Sequence, residues 1–169
     1  IIAHNGGVGV LVINGPTKNA IVGNSTFGNG NLGIDLAHEG VTPNDPGDID
    51  TGPNDLQNFP IVRTVEHLGP QGAGSTRIAG KFHSTPSTTF DLDFYANPPC
   101  SRFPFDYMQG ETWIGSAQVT TDASNIAAID VTLRGPTLEP GARISATATD
   151  PQGNTSEFSQ RLVVNTTPH

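Results

Sequence analysis

The sequence has a single cysteine, Cys100, so no internal disulfide forms and no cysteine-based metal or redox motif exists. Burial is the expectation for that thiol. Lysine is almost as scarce, with Lys18 and Lys81 alone, and the arginines are scattered along the chain. No basic stripe is available to neutralise phosphates, and the net charge of −8 repels them. Nucleic acid and anionic membrane surfaces are therefore poor partners, and neither is expected. No apolar run approaches the ~18 residues of a membrane-spanning helix, so membrane insertion is not expected. Charged residues make up only 14%, well under the usual share of about a quarter. Ser, Thr, Asn and Gly replace them, a profile that suits β structure with many turns. The chain opens on Ile1 rather than Met and shows no signal peptide. We read it as a processed or excised piece whose targeting signal lies upstream.

What is present begins with a repeat. "IAHNGGVGVLV" (2–12) registers on "TFGNGNLGIDL" (26–36) at an offset of 24 residues. Asn5 falls on Asn29, Gly6 on Gly30, Gly9 on Gly33, Val10 on Ile34 and Val12 on Leu36. Short strands broken by Asn-Gly corners at this period predict coils of a right-handed parallel β-helix, with inward aliphatic ladders. Asn suits the corners because it tolerates left-handed backbone and stacks by side-chain hydrogen bonds. A plain hairpin series is the alternative, since Asn-Gly is also the strongest hairpin signal. Two copies fall short of the roughly three that a solenoid needs. They are expected to end a longer solenoid, or to lean on the following domain as a cap.

From residue 59 the pattern changes to β-branched and aromatic segments separated by turns: 59–67, 76–84, 88–96, 112–121, 126–133, 142–150 and 156–164. In "TTFDLDFYA" (88–96), Phe90, Leu92 and Phe94 share one face while Asp91, Asp93 and Tyr95 share the other, as in a half-buried antiparallel strand. These segments predict an immunoglobulin-like two-sheet sandwich without the Cys…Trp…Cys core of antibody domains; a barrel is the alternative. The expected fold class is therefore all-β: terminal β-helix coils and an acidic junction over 1–58, a sandwich over 59–165, and a tail at 166–169.

Residues 31–62, "NLGIDLAHEGVTPNDPGDIDTGPNDLQNFPIV", resemble a segment that closes the helix in large secreted bacterial proteins with right-handed parallel β-helix repeats. The pieces "STPSTTFDLDFYANPPC" (84–100), "GETWIGSAQVTTDAS" (110–124) and "ATATDPQGNTSEFS" (146–159) are similar to the Ig-like module that follows it there. This chain departs from the family pattern in its bulky "SRFPFDYM" (101–108) and its shortened "DASNIA" (122–127). The resemblance implies architecture and an extracellular or cell-surface setting, but no activity.

The densest chemistry lies in "TPNDPGDIDTGPND" (42–55), where Asp45, Asp48, Asp50 and Asp55 fall within eleven positions. Interleaved Pro and Gly bar a helix or central strand. Asp48-x-Asp50-x-Gly52 has the alternating spacing with which loops present oxygens to a hard cation. Asn44, Asp45, Asp48, Asp50 and Asp55 are the expected ligands of calcium. The loop is no EF-hand, because Gly52 holds the fifth position and no glutamate holds the twelfth. The plainer reading has each Asp bonding nearby backbone N–H groups. In "TDPQGNTSE" (149–157), Asp150, Asn154 and Glu157 read first as a hairpin turn and only second as a weak cation site.

Catalytic signals are thin. No Gly-x-Ser-x-Gly elbow occurs, and His4, His38, His67, His83 and His169 lack metal-ligand spacing. Asp35, His38 and Glu39 lie near the junction, with Asp35 expected to point outward beside an inward Ile34. Nothing fixes a pair of carboxylates across a groove as glycoside hydrolysis requires. Tyr95, Phe103, Phe105, Tyr107 and Trp113 are candidates for an aromatic platform contacting polysaccharide or a surface glycan. The expectation is a non-catalytic structural or adhesive module that caps a β-helix, with the parent chain's upstream coils as its partner. An accessory, carbohydrate-binding region of a polysaccharide-degrading β-helix enzyme is the alternative.

Overall fold

The computed structural model describes residues 1–15, 17–69, 74–99, 109–135, 138–139, 141–160 and 162–163. Cys100, Phe103, Phe105 and Tyr107 lie outside them. Four short strands, β1 (Ile2–Ala3), β2 (Val10–Val12), β3 (Thr26–Phe27) and β4 (Ile34–Leu36), carry the repeat. β1 pairs with β3 and β2 with β4, both in parallel, and every partner is 24 positions away, from Ile2 opposite Thr26 to Val12 opposite Leu36. These two ladders are the extent of parallel pairing among the described residues, and no β-helix beyond them is seen.

The repeated Asn-Gly corner is what lets the two copies stack. Asn29 Oδ1 accepts from both the backbone N–H and the Nδ2 of Asn5, at 3.1 and 2.8 Å. The following glycine allows the approach: a Cβ on Gly30 would sit 2.5 Å from the carbonyl oxygen of Gly6. Gly9 is held the same way, with a Cβ meeting Gly33 O at 2.6 Å. Side-chain hydrogen bonding and backbone contact thus select the same dipeptide.

A tight turn at Pro53–Leu56 leads into the remaining strands. These are β5 (Ile61–Leu68), β6 (Ser75–His83), β7 (Thr89–Asn97), β8 (Thr112–Thr120), β9 (Ile126–Arg134), β10 (Arg143–Thr149) and β11 (Leu162–Val163). They form two antiparallel sheets, β11-β10-β7-β8 and β5-β6-β9, in an all-β, sandwich-like arrangement. Phe90, Leu92, Phe94, Ile144, Ala146 and Ala148 meet Val65, Ile78, Phe82, Ala127 and Ile129 in the core between them. Phe82 and Phe90 cross edge to face at 4.9 Å, joining one sheet to the other.

The period-2 reading of β7 places Phe90, Leu92 and Phe94 inward as expected. The opposite face is not all solvated, however. Tyr95 is 1% exposed and packs with Phe158 against Val12, Leu32, Ile34 and Leu36 of the repeat. Ser145 and Thr147 on the same face of β10 are buried too. The repeat therefore lies on the outer face of the β10-β7 sheet and shares a second apolar core with it.

The last expected strand, 156–164, is only partly a strand. Ser156 N–H bonds Ala148 O and Ser159 N–H bonds Ala146 O, so three steps on this segment span two on β10. The extra residue is a bulge. Its lost ladder acceptors are replaced by hydroxyls, with Ala148 N–H donating to Ser156 Oγ and Ala146 N–H to Ser159 Oγ. Between the two serines, Glu157 and Phe158 reach the repeat. No helix among the described residues is long and apolar enough to cross a membrane.

Candidate functional site

Of the five expected cation ligands, the fold gathers three. One carboxylate oxygen from each of Asp45, Asp48 and Asp50 lies within 4.8 Å of the others. That spread is on the scale of a calcium shell, whose oxygens lie about 2.3–2.6 Å from the ion. Asp48 sits at φ 57°, a left-handed position beside Gly47 that folds the loop back on itself. Its Oδ1 accepts from Asn58 N–H at 3.0 Å, and its Oδ2 from Gln57 Nε2 at 2.6 Å and from the hydroxyl of Ser84. Asn58 also clamps the loop, accepting from Asp45 N–H and donating to Asp45 O and His83 O.

The backbone-satisfying reading accounts for Asp48 Oδ1 and for Asp45 Oδ2, which accepts from Ile49 N–H at 3.1 Å. It does not account for Asp45 Oδ1 and Asp50 Oδ1, both buried with no hydrogen-bond partner. Burial, followed by the charges of Asp45 and Asp50 and resisted by the Ser84 and Asn58 hydrogen bonds, pushes the Asp48 carboxyl up to about 6. Asp50 is raised as well, by burial and then by Asp45. Two orphaned oxygens among mutually repelling carboxylates fit a hard cation, which would take those oxygens as ligands and cancel the repulsion.

Asn44 and Asp55 are used elsewhere. Asn44 exchanges two hydrogen bonds with the backbone of Phe59, N–H to Oδ1 at 2.9 Å and Nδ2 to O at 2.8 Å. Asp55 accepts from Asn154 Nδ2 at 3.1 Å. The second candidate cluster, Asp150, Asn154 and Glu157, is divided. Asp150 takes the N–H groups of Gln152 and Asn154 in a local turn, while Glu157 faces the repeat.

That divergence exposes a seam the sequence did not announce. On the side of the second copy away from the first, strand-edge and corner groups meet acceptors from the sandwich. Gln109 Oε1 accepts from Asn29 N–H and Asn29 Nδ2, both at 3.0 Å, and Gln109 Nε2 donates to Asn29 O and Asn31 O. Thr26 N–H bonds Gly110 O at 2.7 Å. Ile21 N–H donates to Thr155 Oγ1, and Leu36 N–H to Glu157 Oε1. A further corner uses Asn54, whose Oδ1 accepts from the N–H and Nδ2 of Asn19 while its Nδ2 donates to Thr155 O.

Two other expectations are corrected by burial. Asp35 was expected outward but is only 2% exposed, because the chain after β4 turns back over it. Tyr95 was expected in an open aromatic platform but lies in the repeat–sandwich core. Trp113 does face solvent, at 49% exposure, with its Nε1 held by Asp93 Oδ1 at 2.8 Å. No protein-family model matches the chain and no curated protein matches it, so the geometry of the triad and the seam carries the functional reading.

Proposed function

We propose that the chain is a non-catalytic structural or adhesive module of a secreted or cell-surface bacterial protein. In this reading the amino-terminal copies are the last coils of a right-handed parallel β-helix, and the immunoglobulin-like sandwich closes the edge they would otherwise leave open. Unpaired strand edges recruit other chains, so a terminator of this kind keeps a solenoid from self-assembly. Further coils of the parent chain would stack on the first copy.

The observation that supports this most directly is Gln109. Asn29 gives its N–H and Nδ2 to Gln109 Oε1, the same pair of donors that Asn5 gives to Asn29 Oδ1. One side chain of the sandwich thus stands where the next coil's asparagine would be. The Gln109→Ala variant tests the role by sedimentation. Concentration-dependent association beyond that of the parent is expected, and a variant that associates no more than the parent counts against capping.

Calcium at Asp45, Asp48 and Asp50 would pin the junction loop in this scheme. Adding calcium to chelated protein is expected to raise the melting temperature. The Asp50→Asn variant should melt at or slightly above the parent in chelator, because repulsion is relieved, and should lose the calcium response. An unchanged parent melting curve would rule out a structural site.

The alternative, an accessory carbohydrate-binding region, is favoured by the exposed indole of Trp113. Retention on immobilised polysaccharide that vanishes in Trp113→Ala would establish it, and no retention would leave the capping role alone.

A further inference from the structure

The sequence holds three Asn-Gly dipeptides, Asn5-Gly6, Asn14-Gly15 and Asn29-Gly30, and the fold gives them unlike surroundings. An asparagine before glycine is open to attack on its side-chain amide by the next backbone nitrogen, since glycine has no Cβ to hinder the approach. The attack needs an unbonded N–H, room for the side chain to swing, and water. Asn29-Gly30 offers none of these. Asn29 is fully buried, its Nδ2 donates to Ile2 O and Gln109 Oε1, both at 3.0 Å, and Gly30 N–H is donated to Asn5 O at 2.8 Å. Asn5 and Gly6 are exposed. A Cβ on Gly6 would meet nothing within 4 Å, and Gly6 N–H has no partner among the described residues. A single hydrogen bond, Nδ2 to Asn29 Oδ1, restrains the Asn5 amide. Asn14 and Gly15 are exposed too, and the Asn14 side chain makes no hydrogen bond among the described residues.

We propose that Asn5 is a site of spontaneous deamidation, and that the reaction unfastens the first copy from the second. Gly6 N gives its proton to solvent base and bonds to Asn5 Cγ; the Cγ–Nδ2 bond breaks and the nitrogen leaves as ammonia. Water then opens the five-membered imide at either carbonyl, leaving an aspartyl or an isoaspartyl residue at position 5. Water is consumed, ammonia is released, and a negative charge is gained. An ionised carboxylate only accepts hydrogen bonds, so the donor that faces Asn29 Oδ1 at 2.8 Å is replaced by an oxygen. The isoaspartyl product also routes the main chain through the side-chain carbon, which shifts the corner between β1 and β2 against its copy. Asn29 is preserved by what Asn5 lacks: Gln109 encloses it on one side and Asn5 on the other. The inference does not depend on the capping role.

Peptide mapping by mass after the intact protein is held in warm, mildly alkaline buffer tests the site. Conversion at position 5 well ahead of position 29 is expected, with Asn14 showing the unrestrained rate. Position 5 as inert as position 29 overturns the proposal. In denaturant the difference should vanish, because each asparagine precedes glycine; a difference that persists there overturns the role of the fold. Gly6→Ala meets no clash, so it should fold as the parent does and slow conversion at position 5 alone. Asn5→Asp should melt below the parent, and an unchanged melting temperature overturns the unfastening.

Discussion

Gln109→Ala lowers the unfolding free energy by about 3 kcal/mol or more, read by denaturant titration. The change removes four hydrogen bonds at once. It leaves Asn29 N–H, one Nδ2 hydrogen, and the carbonyls of Asn29 and Asn31 to find other partners. Asn29 is fully buried, and each buried group left unsatisfied costs about 1–3 kcal/mol. Water entering the vacated space would soften the total without restoring the geometry. Gln109→Glu separates acceptance from donation. It retains the Oε1 that Asn29 needs but replaces the donating amide with a carboxylate facing two carbonyl oxygens. That variant should therefore remain destabilised, and increasingly so as pH rises and the new carboxyl ionises. A Gln109→Ala protein within about 0.5 kcal/mol of the parent would show the contacts to be incidental.

The second large effect comes from placing the same substitution at two equivalent positions. Gly30→Ala puts a methyl group 2.5 Å from the oxygen and 2.9 Å from the carbon of the Gly6 carbonyl. The obstacle is backbone, which cannot rotate away, so the two copies must separate along β1-β3 and β2-β4. Overpacking of this kind costs about 1–3 kcal/mol, and the Asn5–Asn29 hydrogen bonds weaken with it. Gly6 holds the same place in the first copy, yet a Cβ there meets nothing within 4 Å. Gly6→Ala should be near neutral. Equal melting temperatures for the two variants would mean that the copies do not stack as described.

The stacked register was legible because it is written twice. Asn5-Gly6 and Asn29-Gly30 recur at a fixed offset, and pairing at that offset follows from their hydrogen bonds and from the missing Cβ. The inward face of β7 was legible for a similar local reason, the alternation of Phe90, Leu92 and Phe94. The seam was not. Gln109 lies 80 positions from Asn29, and a lone glutamine after an aromatic stretch has no period to betray it. Tyr95 and Asp35 were misplaced by one rule, that alternation exposes the second face. The rule fails wherever another layer covers that face, as the repeat covers β10-β7. Asp48 and Asp50 were grouped by their alternating spacing, and Asp45 and Asp55 by proximity in sequence; the fold brings Asp45 beside the pair, whereas Asp55 bonds Asn154 instead.

The seam also has a direction. Gln109 can take the donors of the asparagine above it, but it presents no strand edge and no second asparagine to anything below. The opposite side of the first copy keeps both, since among the described residues β1 and β2 each pair on one edge only. In the proposed capping role, assembly of such layers would be like a polymer with one terminated end. Length would be added on the Asn5 side, while the terminus would feel only its nearest neighbour and keep the same strength however tall the stack became. The number of layers could then vary without redesign of the stop.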